Sequence, residues 1–157
     1  MRYEEARGSI QTGDVLAWTH RGIKSWYDFK VWLVRLFQMS EYTHVAVAWV
    51  TSGRVFMLES TAVGVRIFPT SLEVPFYHIP WLPLSEAQLD FALSQAGKPY
   101  SNLDCALEFL GVDTTDSGKW ECAKYVKAIH RLTCSATPSA VVDYLLAAGA
   151  TLREVQP

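Results

Sequence analysis

The stretch T-H-V-A-V-A-W-V-T-S-G-R-V-F-M-L-E-S, residues 43–60, decides how this chain folds. Two runs, Thr43 to Val50 and Val55 to Ser60, are rich in β-branched and aromatic residues, and T-S-G-R between them is a tight-turn signal. With Ser52-Gly53 as a two-residue turn, Thr51 opposes Arg54 and the pairing runs back along both strands. His44 then faces Thr61, while Glu59 faces Ala46 and lies diagonal to His44 on the same sheet face. Diagonal neighbours are about 7–8 Å apart, a gap that a glutamate and an imidazole can bridge. A slip of one residue would send the two to opposite faces.

Outward from this hairpin the first half stays β-rich. Gly13-Asp14 punctuates the entry to a strand at Val15 to Thr19. Val63 to Phe68 and Tyr77 to Ile79 add strands, and P-F-Y-H-I-P-W-L-P suits an edge or a crossing because proline cannot donate to a ladder. Residues 22 to 39 carry Trp26, Phe29, Leu33, Leu36 and Phe37 at helical spacings, which predicts a helix.

The second half is helical. Ser85 and Gln88 form a capping box that opens a helix to about Ala96, stopped by Gly97-Lys98-Pro99. A second helix follows near Leu103 to Leu110, a third from about Trp120 to Leu132, and a fourth opened by Thr137-Pro138 and ending near Gly149. Strands first and helices after is the α+β pattern, an antiparallel β-sheet packed against a cluster of helices. At 157 residues the chain is expected to form one domain.

Composition narrows the partners. The formal net charge is −2 and no long basic run occurs, which argues against nucleic acid. No apolar stretch is long enough to span a bilayer, and the charged start M-R-Y-E-E-A-R-G is unlike a signal peptide, so a cytoplasmic or phage-borne protein is expected. The three cysteines, at 105, 122 and 134, lack C-x-x-C spacing. That argues against a disulfide framework and against zinc; no metal and no cofactor are expected. Oligomeric state is not legible from this pattern.

Cys122 falls at the predicted start of the third helix, in K-W-E-C-A-K-Y-V. Orphan N–H groups and the helix dipole there stabilise a thiolate and can donate to an oxyanion forming beside the sulfur. A buried cysteine packing as a small hydrophobe is the competing reading. Cys105, near another predicted helix start, is the rival nucleophile.

Of the four histidines, His130 lies eight residues beyond Cys122, about 12 Å along the axis, too far for proton transfer. His20 reads as a loop residue, and His78, among aromatics and prolines, as a structural histidine. His44 opens an apolar strand with Ala46 and Ala48 on its own face, and these small residues leave room for a helix end to approach the imidazole. Glu59 is then the group that orients His44, as the acid does in a catalytic triad; a solvated strand residue is its plainer reading.

The order G-D-V-L at 13–16, T-H-V-A-V at 43–47, L-E-S at 58–60, G-K-P-Y at 97–100 and W-E-C-A-K-Y-V at 120–126 resembles the circularly permuted NlpC-type branch of the papain-like cysteine hydrolases, and most of all its YiiX-type members. The resemblance spans about residues 13 to 147. It implies a single hydrolase domain with Cys122 as nucleophile, His44 as base and Glu59 as the orienting acid. It also implies a peptide- or acyl-containing substrate, such as a cell-wall peptide or a lipid-linked acyl group. One departure is that Ala123 and Lys124 follow the cysteine where a serine and an acid are common.

Trp18, Trp26, Tyr100 and Trp120 are the candidate substrate contacts, with Tyr100 and Tyr3 as possible oxyanion donors beside the Cys122 N–H. Two other function classes fit the same residues. One is an acyltransferase, in which an acceptor other than water resolves the acyl-enzyme. The other is a non-catalytic binding module whose groove is lined by Trp26, Trp32 and Trp81.

Overall fold

The computed structural model describes residues 1–19, 41–99 and 120–157. The helices expected at 22–39 and 103–110 lie outside the described residues, as do His20, Trp26, Trp32, Tyr100 and Cys105.

The elements begin with one helical turn, α1 (Tyr3–Ala6), followed by the strands β1 (Val15–Thr19), β2 (Tyr42–Thr51), β3 (Arg54–Thr61) and β4 (Gly64–Pro69). A 3-10 turn (Thr70–Leu72) leads to β5 (Phe76–Ile79). The helices α2 (Glu86–Ser94), α3 (Cys122–His130) and α4 (Pro138–Ala147) follow, and β6 (Arg153–Val155) ends the order. The strands form one antiparallel sheet in the order β4-β3-β2-β1-β5-β6, so sheet and helices make an α+β fold.

The hairpin register is the one its turn dictates. Ser52 and Gly53 both take positive φ, 51° and 71°, as a two-residue turn matched to strand twist requires. Thr51 pairs Arg54, and the β2–β3 ladder runs back to Val47 opposite Leu58. Because side chains alternate across a strand, β2 presents Val45 and Val47 to one face and His44, Ala46 and Ala48 to the other.

The two faces bury different elements. Val45, Val47, Leu58, Val15 and Ala17 belong to one core with Cys122, Ala123, Val126 and Ile129 of α3 and Val141, Val142 and Leu145 of α4. Ala46, Ala48, Leu16, Trp18, Met57 and Phe76 form a second core with Ala6 and Ile10 of the N-terminal segment. The small residues at 46 and 48 therefore make room for the N-terminal segment and the Trp18 indole, not for the end of a helix as their size had implied. Each buried Val, Leu or Ile contributes about 1.5–3 kcal/mol, so both layers matter to stability.

β5 is also placed differently from expectation. It lies between β1 and β6, inside the sheet. Pro75 and Pro80 fall just outside Phe76–Ile79, so neither removes a donor from the ladder. The covering strand β6 and the turn α1 had no legible signal: each spans only a few residues, and β6 gains its order from β5, far back in the chain.

The helix caps follow their sequence signals. The Ser85 hydroxyl accepts the Gln88 N–H, with the Gln88 side chain returning to Ser85, and Thr137 Oγ1 accepts the Ala140 N–H at 3.3 Å. At α3 the cap is Glu121, which the sequence reading passed over: its carboxylate accepts the Lys124 N–H and makes Cys122 the first helical residue.

Gly13-Asp14 is a structural brace. Asp14 is buried and its carboxylate accepts the Gln11 N–H (2.8 Å) and the Trp81 N–H (3.0 Å), and pairs with His78 Nε2 (2.7 Å). It ties the start of β1 to the end of β5 and confirms His78 as a structural histidine. Gly13 has φ +108°, and a Cβ there would sit 2.6 Å from the Leu82 carbonyl oxygen. Gly13→Ala is therefore expected to cost about 2 kcal/mol or more, read as a lower urea midpoint at unchanged slope; an unchanged midpoint would contradict this role.

His130 supplies a pH signature. Burial pushes its pKa down to about 4 from 6.5, outweighing the opposing pull of the Gly13 backbone and Asp14. A histidine whose folded pKa is depressed disfavours protonation in the native state, so stability is full above 6.5 and falls as pH drops toward 4. The expected loss is about 3 kcal/mol between pH 7 and pH 4. Urea unfolding at both pH values should show it in the native sequence and find most of it absent in His130→Phe.

Candidate active site

His44 and Glu59 meet as the hairpin register requires. His44 Nε2 lies 2.6 Å from Glu59 Oε2, with the Glu59 side chain 3% exposed and the imidazole 25% exposed. Glu59 is thus a buried acid and not a solvated strand residue. Its other oxygen, Oε1, accepts from Arg66 Nε at 2.6 Å. Burial alone would raise the Glu59 carboxyl, but the hydrogen bonds and charges of His44 and Arg66 outweigh it and hold it below the ordinary carboxylate range. An ionised Glu59 accepts at Oε2, so His44 Nε2 is the donor of this hydrogen bond.

Trp18 fixes the ring from the neighbouring strand. It pairs with His44 in the β1–β2 ladder, and its indole lies 5.4 Å from the imidazole, centroid to centroid. Trp18 is itself buried, donates its Nε1–H to the Glu73 carbonyl at 2.7 Å and packs on Phe76. It forms a buried wall against the imidazole.

The sheet changes character here. The β2–β3 ladder stops at Val47 opposite Leu58. Beyond that point, among the described residues, β2 pairs with β1, with Trp18 opposite His44, and β3 pairs with β4, through Glu59–Arg66, Ser60–Val65 and Thr61–Gly64. His44 and Glu59 bridge the two strands just past the end of their shared ladder.

The start of α3 is fastened to the same end. Ser60 Oγ donates to the Trp120 carbonyl at 3.0 Å, and the Trp120 N–H donates to the Pro99 carbonyl at 3.2 Å. The Trp120 indole donates to Gln95 at 3.2 Å, and its ring packs on Phe91 and Tyr125. Trp120 is half-buried and its polar atoms serve to anchor the segment before the helix. Two residues on, Cys122 is 7% exposed and belongs to the core of Val45, Val47 and Leu58. It is the first residue of α3. The neighbouring Glu121 carboxylate already places one negative group at this helix end.

The described contacts thus join His44, Glu59, Arg66 and Trp18 directly, and set Cys122 on the helix-covered side of β2. Tyr3 does not belong to this group. It lines a cavity of about 270 Å³ with Arg7, Arg54, Phe56 and Ser71 at the turn end of the hairpin. The sequence reading missed Arg66, although Thr61 opposite Gly64 across Ala62-Val63 sets Glu59 against it. Among the described residues no group of three His, Cys, Asp or Glu forms a metal position, and no helix is long and apolar enough to cross a membrane.

No protein-family model matches the chain, and no curated protein matches it in sequence. Among solved structures it is similar to the crystal structure of the metalloprotein YiiX from Escherichia coli O157:H7, with a TM-score of 0.56 and 19% identity. The match covers 78% of this chain and 65% of that one, so this chain spans less than two thirds of that protein's length. At this identity the likeness is one of fold: the chain has a YiiX-like α+β architecture.

Proposed function

We propose that this chain is a thiol hydrolase of papain-like type, with Cys122 as nucleophile, His44 as general base and Glu59 as the residue that orients it. The observation that carries the reading is the His44–Glu59 pair, a buried carboxylate 2.6 Å from a partly exposed imidazole just past the end of the β2–β3 ladder. A purely structural histidine has no need of that exposure; His78, paired as closely to Asp14, is fully buried. The order of motifs along the chain, similar to that of the permuted NlpC-type branch, supports the same roles, and the YiiX-like fold is compatible with it.

In the proposed reaction His44 Nδ1 takes the Cys122 proton. The thiolate adds to the carbonyl carbon of an amide or ester, and the Cys122 N–H donates to the resulting oxyanion. The imidazolium then protonates the leaving nitrogen or oxygen as its bond to carbon breaks, which leaves a thioester on Cys122. Water, losing a proton to His44, attacks the thioester, and the thiolate departs with release of the acid. Glu59 stays ionised throughout and stabilises the imidazolium. The reaction requires the Cys122 sulfur, on the Val45–Val47 face of β2, to reach the His44 imidazole past the end of the β2–β3 ladder; α3 packs on both strands. The expected substrate is a cell-wall peptide or a lipid-linked acyl group. The similar Escherichia coli chain is described as a metalloprotein; the donor set of the described residues here does not fit a metal, and no step uses one.

Iodoacetamide labelling at pH 6.5, read by mass spectrometry, should mark Cys122 before Cys134, whose thiol burial pushes up, and before Cys105. His44→Ala should slow Cys122 labelling at least tenfold. Cys122→Ala should remove hydrolysis of a susceptible peptide or ester while leaving the unfolding midpoint nearly unchanged. Preferred labelling of Cys105, or turnover retained in Cys122→Ala, would reject the assignment. A persistent acyl adduct that resists water but yields to an added amine or alcohol would instead identify an acyltransferase.

A further inference from the structure

Arg66 belongs to none of the roles above, yet it makes the shortest class of contact in the site. It stands directly opposite Glu59 in the β3–β4 ladder. Its Nε takes Glu59 Oε1 at 2.6 Å, while Oε2 is on His44 Nε2 at the same distance. The guanidinium lies over the Phe68 ring, 4.3 Å from its centroid, two residues along the same face. The ring sets the plane of the fork and the strand sets its position. The Arg66 side chain is 36% exposed and Glu59 only 3%, so the cation reaches in from the surface to a carboxylate buried beneath it.

We propose that Arg66 is a positioning residue for the acid–base pair: by holding one oxygen of Glu59 it turns the other onto His44 and shares the carboxylate's charge, so that loss of Arg66 strengthens the pull of Glu59 on the imidazole proton. The proposal rests on the catalytic reading of His44 and deepens it. A buried carboxylate facing an imidazole alone would favour the imidazolium strongly, and a base already protonated cannot take the thiol proton. A guanidinium on the far oxygen opposes that second positive charge. It also keeps Glu59 from rotating away, since both oxygens are committed.

Among the described residues few other groups contact the pair. From β1 comes only the uncharged Trp18. The start of α3, with Cys122 and with Glu121, whose carboxylate caps the Lys124 N–H, packs on the other, Val45–Val47 face of β2. Among the described residues, Arg66 is the one cation in direct contact with Glu59 besides the imidazole itself.

The test is an NMR titration of ring-labelled histidine in the full chain, with the His44 signal assigned by its loss in His44→Asn. In Arg66→Met, which keeps an apolar stem over Phe68, the His44 pKa should rise by about one unit. Arg66→Lys keeps the charge and should titrate close to the native sequence. A contact that merely packs would lower the melting temperature of both variants and move neither titration. A His44 titration unmoved in Arg66→Met, or moved equally in Arg66→Lys, would overturn the proposal. Arg66→Gln gives the same reading if the methionine variant folds poorly. The titration requires no turnover, so failure of the hydrolase assignment shows in Cys122→Ala and failure of this inference shows here.

Discussion

A carboxylate buried in a sheet has to be answered by a partner, and the rest of this site follows from how Glu59 is answered. Left alone, the charge would cost several kcal/mol, and the group would take up a proton instead. Two neighbours on the same face keep it ionised, Arg66 across one ladder and His44 diagonally across the other. The ionised state in turn makes Glu59 Oε2 the acceptor of the hydrogen bond from His44 Nε2. A local electrostatic requirement thereby becomes a chemical direction.

The fold supplies this arrangement through register. The Ser52-Gly53 turn sets β2 against β3, the Ala62-Val63 connection sets β3 against β4, and β1 brings Trp18 beside His44. Three ladders converge on one imidazole. The brace at Asp14 secures β1 to β5 at the opposite end, so that the strand carrying Trp18 is held at both ends. The two cores then divide the work. One seats α3 and α4 on the Val45–Val47 face, and the other joins the N-terminal segment and Trp18 on the face of Ala46 and Ala48.

Much of this was legible in the residues. The hairpin register was, because a two-residue turn with two left-handed positions leaves no freedom in pairing. The starts of α2 and α4 were, because Ser85 and Thr137 carry capping chemistry that acts within a few residues. What failed to show depends on distant partners. β6 owes its strand state to β5, 75 to 79 positions earlier. The interior place of β5 was hidden by prolines that flank the strand without entering it. The meaning of Ala46 and Ala48 could not be read either, since small size says that something approaches but not which element does. Arg66 escaped because its role appears only once two successive registers are combined.

The account's central claim is that the Cys122 sulfur and the His44 imidazole share one active site although they sit on differently packed faces of β2. A bifunctional alkylating ketone, 1,3-dibromoacetone, tests this most directly, since its first carbon is taken by a reactive thiol and its second only by a nucleophile within the reach of a three-carbon bridge. The account predicts a single cross-linked peptide pair joining Cys122 to His44, found by mass spectrometry of the digested protein. Quantitative modification of Cys122 with the second arm hydrolysed, or bridged to any residue other than His44, would contradict it.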